Sequence, residues 1–220
     1  MDAVAALIII ESEVLIMERI PENSDLRNIL YQRAGRLYDY DPYTFNHSLR
    51  VAILSGRIAF SISENSAFVK RTCVAALMHD IGKIFVPVDI LNKPGGLTGQ
   101  ERCLMELHPI LGYSFLNRFS VFDDVKESIL CHHERYDGLG YPFGLKREQI
   151  PVEARIISVA DTFDALTSDR AYQCAVPFEN AAMEINCHTG RMFDPAVVEH
   201  FNRIRKGCRG ESALYHRNAA

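Results

Sequence analysis

The chain has 220 residues, of which 48% are hydrophobic, and its formal net charge at pH 7 is −4. This length suffices for one domain with a well-buried core. The slightly negative net charge argues against nonspecific electrostatic binding to polymeric nucleic acid. The six cysteines form no Cys-x-x-Cys pair, which argues against a zinc ribbon or a redox motif. With no secretory signal in view, we expect reduced thiols in a cytoplasmic protein.

The chain opens with the apolar run Val4–Ile10, which is too short to cross a bilayer, so we predict no membrane span. We expect residues 1–40 to form an N-terminal helical extension, residues 41–209 to form the main domain and residues 210–220 to form a C-terminal tail. The apolar run itself is expected to be an amphipathic or buried helix. A dimerisation helix, and with it a homodimer, is the alternative.

Helical periodicity dominates the rest of the chain and strand signals are nearly absent, so the predicted fold class is all-α. The expected helices are Thr44–Ile62, Phe68–His79, one that starts at Thr98, one from His108 to about Asn117, one that ends at His133, Val152–Leu166, Phe178–His188 and Pro195–Arg205.

Local signals set the expected helix ends. Thr98 and Glu101 fit a capping box. Gly82 is expected to let the chain turn away from the preceding helix, and Asp123 and Asp124 are expected in the opening turn of the helix that ends at His133. Glycines and prolines between residues 134 and 151 predict a long loop, which in a compact domain is usually functional or disordered.

Seven histidines and aspartates carry the strongest functional signal. His and Asp donors suit divalent iron, manganese or zinc, and seven are too many for one ion and about right for two that share a carboxylate. Two such ions with a hydroxide between them form a known device for cutting phosphodiesters. The seven are His47, His79, Asp80, His108, His132, His133 and Asp161. Asp80 is the best candidate for the bridge, because a carboxylate offers two oxygens whereas a neutral imidazole offers one lone pair.

The order and local context of these residues resemble those of the HD-GYP family, the bacterial cyclic di-GMP phosphodiesterases within the HD phosphohydrolase superfamily. The resemblance runs from about His47 to Phe201. It rests on HSLRVA at 47–52, AALMHDIGK at 75–83, ILNKPGGLT at 90–98, HHERYDGLGYP at 132–142, IPVEARIISVADTFDALTSDRAY at 150–172 and FDPAVV at 193–198. A lone His-Asp pair would be weak evidence, but this combination is specific.

The resemblance implies an HD-domain helical bundle with a di-metal centre in its core. It implies that His47, His79, Asp80 and Asp161 hold one ion, and that Asp80, His108, His132 and His133 hold the other. The ions would be iron or manganese, with zinc as an alternative. The implied activity is hydrolysis of cyclic di-GMP to pGpG, with further cleavage to GMP left open, through attack of a metal-bridging hydroxide.

Two alternative functions remain possible from the sequence. One is a phosphodiesterase for another cyclic dinucleotide, such as cyclic GMP-AMP. The other is a cyclic di-GMP receptor or protein-docking module that does not hydrolyse its ligand. The full ligand set argues against the second, because a receptor has no need to keep it.

Further residues are expected to bind or position the substrate. Lys83 is placed to contact the phosphate or the hydroxide, with a solvated lysine as the alternative. Arg170 matches a phosphate-contacting arginine of the family. The segment Gly140, Tyr141 and Pro142 is expected to shape the substrate pocket or to dock a partner such as a diguanylate cyclase (GGDEF) domain. Asp164 is expected either to orient neighbouring groups or to be a helix-surface carboxylate.

The sequence also departs from the family pattern. Tyr43 stands where some members have a glutamate that helps to hold a third metal, so we predict two ions. Gln173 and Ala171 replace a frequent basic residue and a frequent proline, which puts substrate preference in doubt. The remaining histidines, His188, His200 and His216, are expected to be structural or surface residues.

Overall fold

A computed structural model describes residues 25–169 and 175–207. The apolar run Val4–Ile10, the C-terminal tail with His216, and the segment with Arg170, Ala171 and Gln173 lie outside the described residues. The described residues form helices and no β-strand, apart from one isolated bridge between Thr189 and Phe193. The predicted all-α class is confirmed.

Ten α-helices make up the described part of the chain. They are α1 (Asp25–Tyr40), α2 (Pro42–Ile62), α3 (Ser66–Met78), α4 (Val88–Leu91), α5 (Gly99–Met105), α6 (His108–Leu116), α7 (Lys126–Leu130), α8 (Val152–Thr167), α9 (Phe178–Cys187) and α10 (Pro195–Gly207). Short 3-10 turns lie at Ile81–Phe85, Ser120–Phe122 and Arg147–Gln149.

Side-chain caps explain where several helices begin. Asp41 accepts from the backbone N–H of Thr44 at 3.2 Å and Pro42 occupies the first turn of α2, where its missing N–H costs nothing. Asn65 caps α3 through the N–H groups of Ala67 and Phe68, both at 3.0 Å. The predicted capping box between Thr98 and Glu101 is present at the start of α5.

Helix α2 is the centre of the bundle and packs against α3, α8 and α10. Its buried face includes Phe45 and Ile58, which are fully enclosed. On α8, the ring of Phe163 meets Phe178 of α9 and Phe201 of α10 edge-on, with centroids 4.8 and 5.1 Å apart. No helix within residues 25–169 and 175–207 is long and apolar enough to span a membrane.

Two local predictions are wrong. Helix α7 ends at Leu130 rather than His133, because Nδ1 of His132 donates to the carbonyl of Ile129. A continuing helix would have paired that carbonyl with an N–H four residues on. The helix also begins at Lys126, so Asp123 and Asp124 precede it.

Gly82 does not turn the chain away from α3 through a left-handed backbone. It lies in the 3-10 turn Ile81–Phe85, which crosses α6 at very short range. A Cβ at this position would meet the carbonyl oxygen of His108 at 2.0 Å and the backbone nitrogen of Gly112 at 2.6 Å. Glycine is needed here for close approach rather than for its torsion angles.

Candidate metal centre

The seven predicted ligands come from five separate parts of the bundle and converge on its core. Their positions are His47 in α2, His79 and Asp80 directly after α3, His108 at the first residue of α6, His132 and His133 directly after α7, and Asp161 in α8. Five of them are at most 3% exposed, and His133 and Asp161 are partly exposed. A buried polar cluster of this kind is costly unless its members satisfy one another or hold a cation.

Asp80 lies at the centre of the cluster. Its Oδ2 is 3.2 Å from Nε2 of His79 and 3.8 Å from Nε2 of His47. Its Oδ1 is 3.2 Å from Nε2 of His108, and Lys83 donates to Oδ2 at 2.6 Å. The two carboxylate oxygens therefore face two different sets of imidazoles.

The imidazoles fall into two groups on either side of this carboxylate. His47 and His79, together with Asp80, bring three ligand atoms within 4.8 Å of one another, and His108, His132 and His133 do the same. Either group could hold a metal ion. Asp161 adds to the first group, with Oδ1 at 3.0 Å from Nε2 of His47.

Three of the histidines are held in the same way. Each donates its Nδ1–H to the backbone carbonyl three residues earlier, which leaves Nε2 with a free lone pair when the ring is neutral. The pairs are His79 with Ala76 at 2.6 Å, His108 with Met105 at 2.8 Å and His132 with Ile129 at 2.6 Å.

His47 uses a carboxylate in place of a carbonyl. Its Nδ1 donates to Oδ2 of Asp164 at 2.7 Å, and Asp164, only 3% exposed, also accepts two bonds from Arg50. Of the two roles weighed for Asp164, the structure favours the one in which it orients neighbouring groups. Arg50 is missing from the predictions, although its position one helical turn after His47 puts both on one face of α2.

The electrostatics favour anionic carboxylates and several neutral imidazoles. Burial alone would raise the pKa of Asp80, but His79, Lys83 and the hydrogen bond from His108 hold that pKa well below its usual value. Burial, together with neighbouring imidazoles, lowers the pKa of His132 strongly and that of His133 to about 3. Ionised carboxylates and neutral imidazoles are the forms that bind cations.

His47 differs from the other histidines in its proton affinity. Burial would lower its pKa, but hydrogen bonds and charge from Asp161 and Asp164 raise it to about 9. Since Nδ1 faces Asp164, a cation held at Nε2 would take the place of the proton that Nε2 carries toward Oδ1 of Asp161. Metal binding at this position should therefore release a proton.

One fully buried side-chain atom of the cluster has no hydrogen-bond partner among the described residues. It is Nε2 of His79, which is fully buried and lies close to Asp80 without the angle that a hydrogen bond requires. Buried polar atoms are almost always satisfied, so an orphan deserves an explanation. A lone pair of this kind aimed at a carboxylate fits the place of a metal ligand, and the donor set as a whole fits divalent iron, manganese or zinc.

The loop with Gly140 and Tyr141 packs directly on the second imidazole group. The Tyr141 ring stacks on His133 with centroids 4.8 Å apart, and the Tyr141 N–H donates to the His133 carbonyl at 3.3 Å. A Cβ at Gly140 would lie 2.3 Å from the backbone nitrogen of Arg135 and 2.6 Å from the His133 carbonyl oxygen. The loop therefore depends on a glycine at this position to approach the candidate metal ligand His133.

Glu134 anchors the far side of the same loop. Its carboxylate is 2% exposed and accepts from the backbone N–H groups of Phe143 at 2.7 Å and Leu145 at 3.0 Å. Leu139 and Phe143 project from the loop into solvent, 76% and 61% exposed. Sequence reasoning assigned no role to Glu134, whose place directly after the His-His pair was the available signal.

The other predicted residues are placed as follows. Lys83 contacts Asp80 rather than lying free in solvent, while Pro142 follows Tyr141 in a cis peptide bond. His188 lies near the surface, and His200 hydrogen-bonds Ser61 at 2.9 Å, as expected for residues outside the site. Arg170 lies outside the described residues.

A buried His/Asp cluster at the centre of an all-helical bundle defines a metal-binding helical domain. Residues 34–197 match the HD domain family, and the chain belongs to it. The resemblance to HD-GYP proteins agrees with this membership, because three relatives named as cyclic di-GMP phosphodiesterases are 42–44% identical to the chain over the aligned residues.

Two relatives illustrate the match. A protein of Thermotoga maritima named cyclic di-GMP phosphodiesterase is 44% identical over 168 residues, which cover 76% of this chain and 46% of that protein. A protein of Vibrio cholerae named 3'3'-cGAMP-specific phosphodiesterase 2 is 35% identical over 193 residues, covering 84% of this chain and 37% of that protein. The chain thus spans less than half the length of these relatives.

A solved structure supports the fold. An HDG"Y"P protein from Bdellovibrio bacteriovorus superposes with a TM-score of 0.61 at 20% sequence identity, covering 90% of this chain and 78% of that one.

Proposed function

We propose that this domain hydrolyses cyclic di-GMP to pGpG, with further cleavage to GMP left open, at a centre of two divalent metal ions. Two lines of support carry the proposal: the relatives named as cyclic di-GMP phosphodiesterases, and the geometry of Asp80. Its Oδ2 faces His47 and His79 while its Oδ1 faces His108. A carboxylate between two imidazole groups is what a shared ligand requires.

In this proposal His47, His79, Asp80 and Asp161 hold one ion, and Asp80, His108, His132 and His133 hold the other. When bound, the two ions would lower the pKa of a water molecule and take up negative charge on the phosphoryl group. Iron or manganese is the proposed pair, and zinc also suits this donor set.

The remaining roles fall to residues around the centre. Lys83 is partly exposed, and its Nζ donates a hydrogen bond to Oδ2 of Asp80 at 2.6 Å. It would hold a phosphate oxygen and neutralise its charge. Tyr141, Gly140 and Pro142 would form one wall of the substrate pocket, with the tyrosine ring already fixed on His133. Arg170 is proposed as a phosphate contact from the family resemblance alone.

Cyclic GMP-AMP is the second candidate substrate. Three Vibrio cholerae relatives that are 35–39% identical are named as 3'3'-cGAMP-specific phosphodiesterases. The two candidates differ in one base, so the distinction falls to side chains that contact that base rather than to the metal centre.

The proposal can be tested on anaerobically purified protein. We expect about two iron or manganese ions per chain. When cyclic di-GMP, cyclic GMP-AMP and cyclic di-AMP are each offered as substrate, we expect hydrolysis of cyclic di-GMP. Asp80→Asn should lose at least one ion per chain and all measurable turnover, while the exposed carboxylate variant Asp89→Asn should keep both. Folded wild-type protein without bound metal would contradict the metal centre, whereas metal-loaded protein that binds a dinucleotide without turnover would indicate a receptor.

The loop that contains Gly140, Tyr141 and Pro142 is also proposed as a docking surface for a partner such as a GGDEF domain. Support comes from Leu139 and Phe143, which are exposed on a loop that Glu134 already holds in place. A Leu139→Ser and Phe143→Ser double variant should lose partner binding and keep hydrolysis. The homodimer, which the sequence offers only as an alternative, and the cytoplasmic location stay predictions.

A further inference from the structure

One ion pair joins the two helices that carry His47 and Asp161. Arg50 lies one turn after His47 on α2, and Asp164 lies one turn after Asp161 on α8. Nε of Arg50 donates to Oδ1 of Asp164 at 2.7 Å, and Nη2 donates to Oδ2 at 3.0 Å. A two-pronged contact of this kind fixes the relative orientation of both planar groups.

The same carboxylate fixes the ring of His47. Oδ2 of Asp164 accepts from Nδ1 of His47 at 2.7 Å, and Ser168 donates to that oxygen at 3.3 Å. Because a carboxylate only accepts, Nδ1 carries a hydrogen and Nε2 is the atom presented to the centre. It lies 3.0 Å from Oδ1 of Asp161.

Arg50 supplies the charge that makes this arrangement stable. The Asp164 side chain is 3% exposed, whereas that of Arg50 is 29% exposed and reaches the carboxylate from the solvent side. A buried carboxylate that loses a two-pronged partner is no longer held in one orientation. That change would disturb the bond to His47, because the bond needs an acceptor in a fixed position.

We propose that Arg50 is a positioning residue. Through Asp164 it fixes which nitrogen of His47 faces the centre and holds the ring in place, and it thereby controls the occupancy of the metal position that His47 shares with Asp161. The inference rests on the proposed metal centre but not on the identity of the substrate. Partners of this type change metal affinity or activity by about 10–100-fold in other metal sites.

Arg50→Met is the first test, with bound metal measured by elemental analysis and by titration of the metal-free protein with Mn²⁺. We expect the ion held by His108, His132 and His133 to stay, while affinity for the other falls about 10–100-fold. Arg50→Lys should recover part of that affinity, because an ammonium group restores the charge but not the two-pronged contact.

Arg71→Met is the matched control. Arg71 also pairs with a carboxylate of α8, Glu153, at 3.4 Å, and its side chain is 38% exposed. This pair contacts none of the candidate ligands, so both ions should stay. Equal loss of both ions in the Arg50 variant, or the same loss in both arginine variants, would mean a merely structural role and overturn the proposal.

A second readout needs no metal. The Nδ1–H proton of His47 should be visible by NMR in metal-free wild-type protein, because its bond to buried Asp164 protects it from exchange, and it can be assigned by its loss in His47→Gln. In Arg50→Met we expect this signal to broaden or vanish, and in Arg71→Met to persist. An unchanged signal with unchanged Mn²⁺ affinity would refute the inference and leave the proposed function standing. A wild-type protein with the protected proton but no metal binding would refute the proposed function instead.

Discussion

Replacing Gly82 with alanine should push apart two elements that both carry candidate ligands. Gly82 lies in the 3-10 turn Ile81–Phe85, two residues after Asp80. The new methyl group would lie 2.0 Å from the carbonyl oxygen of His108 and 2.6 Å from the backbone nitrogen of Gly112. These are backbone atoms of α6, so no side chain can swing away to make room. The turn and the helix must separate instead.

The size of the effect follows from these distances. Non-bonded heavy atoms settle at about 3.5 Å, so the two backbones must move apart by roughly 1 Å or more. Overpacking of this kind costs about 2 kcal/mol, which lowers the melting temperature of a chain of this size by about 4–8 °C. The displacement also moves Asp80 relative to His108, and a misplacement of about 1 Å can reduce turnover by ~100-fold.

Two other glycines provide a graded control. A methyl group at Gly112 would meet its nearest neighbour at 3.3 Å, and one at Gly99 would meet nothing within 4 Å. We expect the losses in melting temperature, bound metal and cyclic di-GMP turnover to be large for Gly82→Ala, small for Gly112→Ala and absent for Gly99→Ala. A Gly82→Ala protein with wild-type values in all three assays would refute the argument from close approach.

Two further predictions concern the loop and the metal. Glu134→Gln leaves one backbone N–H of the loop facing an amide NH₂. We expect the KM for cyclic di-GMP to rise roughly tenfold with metal content unchanged, because hydrogen bonds to charged groups contribute about 1.5–3 kcal/mol. An unaltered KM would show that the loop does not need this anchor. Removal of metal with a chelator should lower the melting temperature, and Mn²⁺ should restore it, because a ligand at ~100 times its Kd stabilises the folded state by about 2.7 kcal/mol. Identical melting curves with and without metal would contradict binding to the folded site.

The sequence was sufficient for the fold class and for most helices because their signals are local. The apolar spacing of α2 and α8 and the capping box at Thr98 depend only on residues within one or two turns. The end of α7 could not be read in this way. The predicted helix extends to His133, whereas in the structure the carbonyl of Ile129 accepts from the His132 ring and the helix ends at Leu130.

The partners of the site residues are long-range and were not predictable from spacing. Arg50 and Asp164 are more than a hundred positions apart, and the sequence indicates only that each shares a helix face with a predicted ligand. The need for glycine at position 82 has the same origin, because the contact is with α6 and not with its chain neighbours. In both cases the packing of helices decides the role of the residue.

The ends of helices and the orientation of the candidate ligands are connected in this fold. The last four carbonyls of an α-helix lack a partner within the helix. Ala76 of α3, Met105 of α5 and Ile129 of α7 carry such carbonyls, and each accepts from the Nδ1 of the histidine three residues later. One bond thus satisfies a helix end and directs Nε2 of that histidine into the cluster. Nε2 of His79 and of His108 each lie 3.2 Å from an oxygen of Asp80, and Nε2 of His132 lies 3.2 Å from that of His108. Replacing any of these histidines therefore removes a cap as well as a candidate ligand, so a glutamine at the same position, which can still donate to the carbonyl, separates the two effects better than alanine.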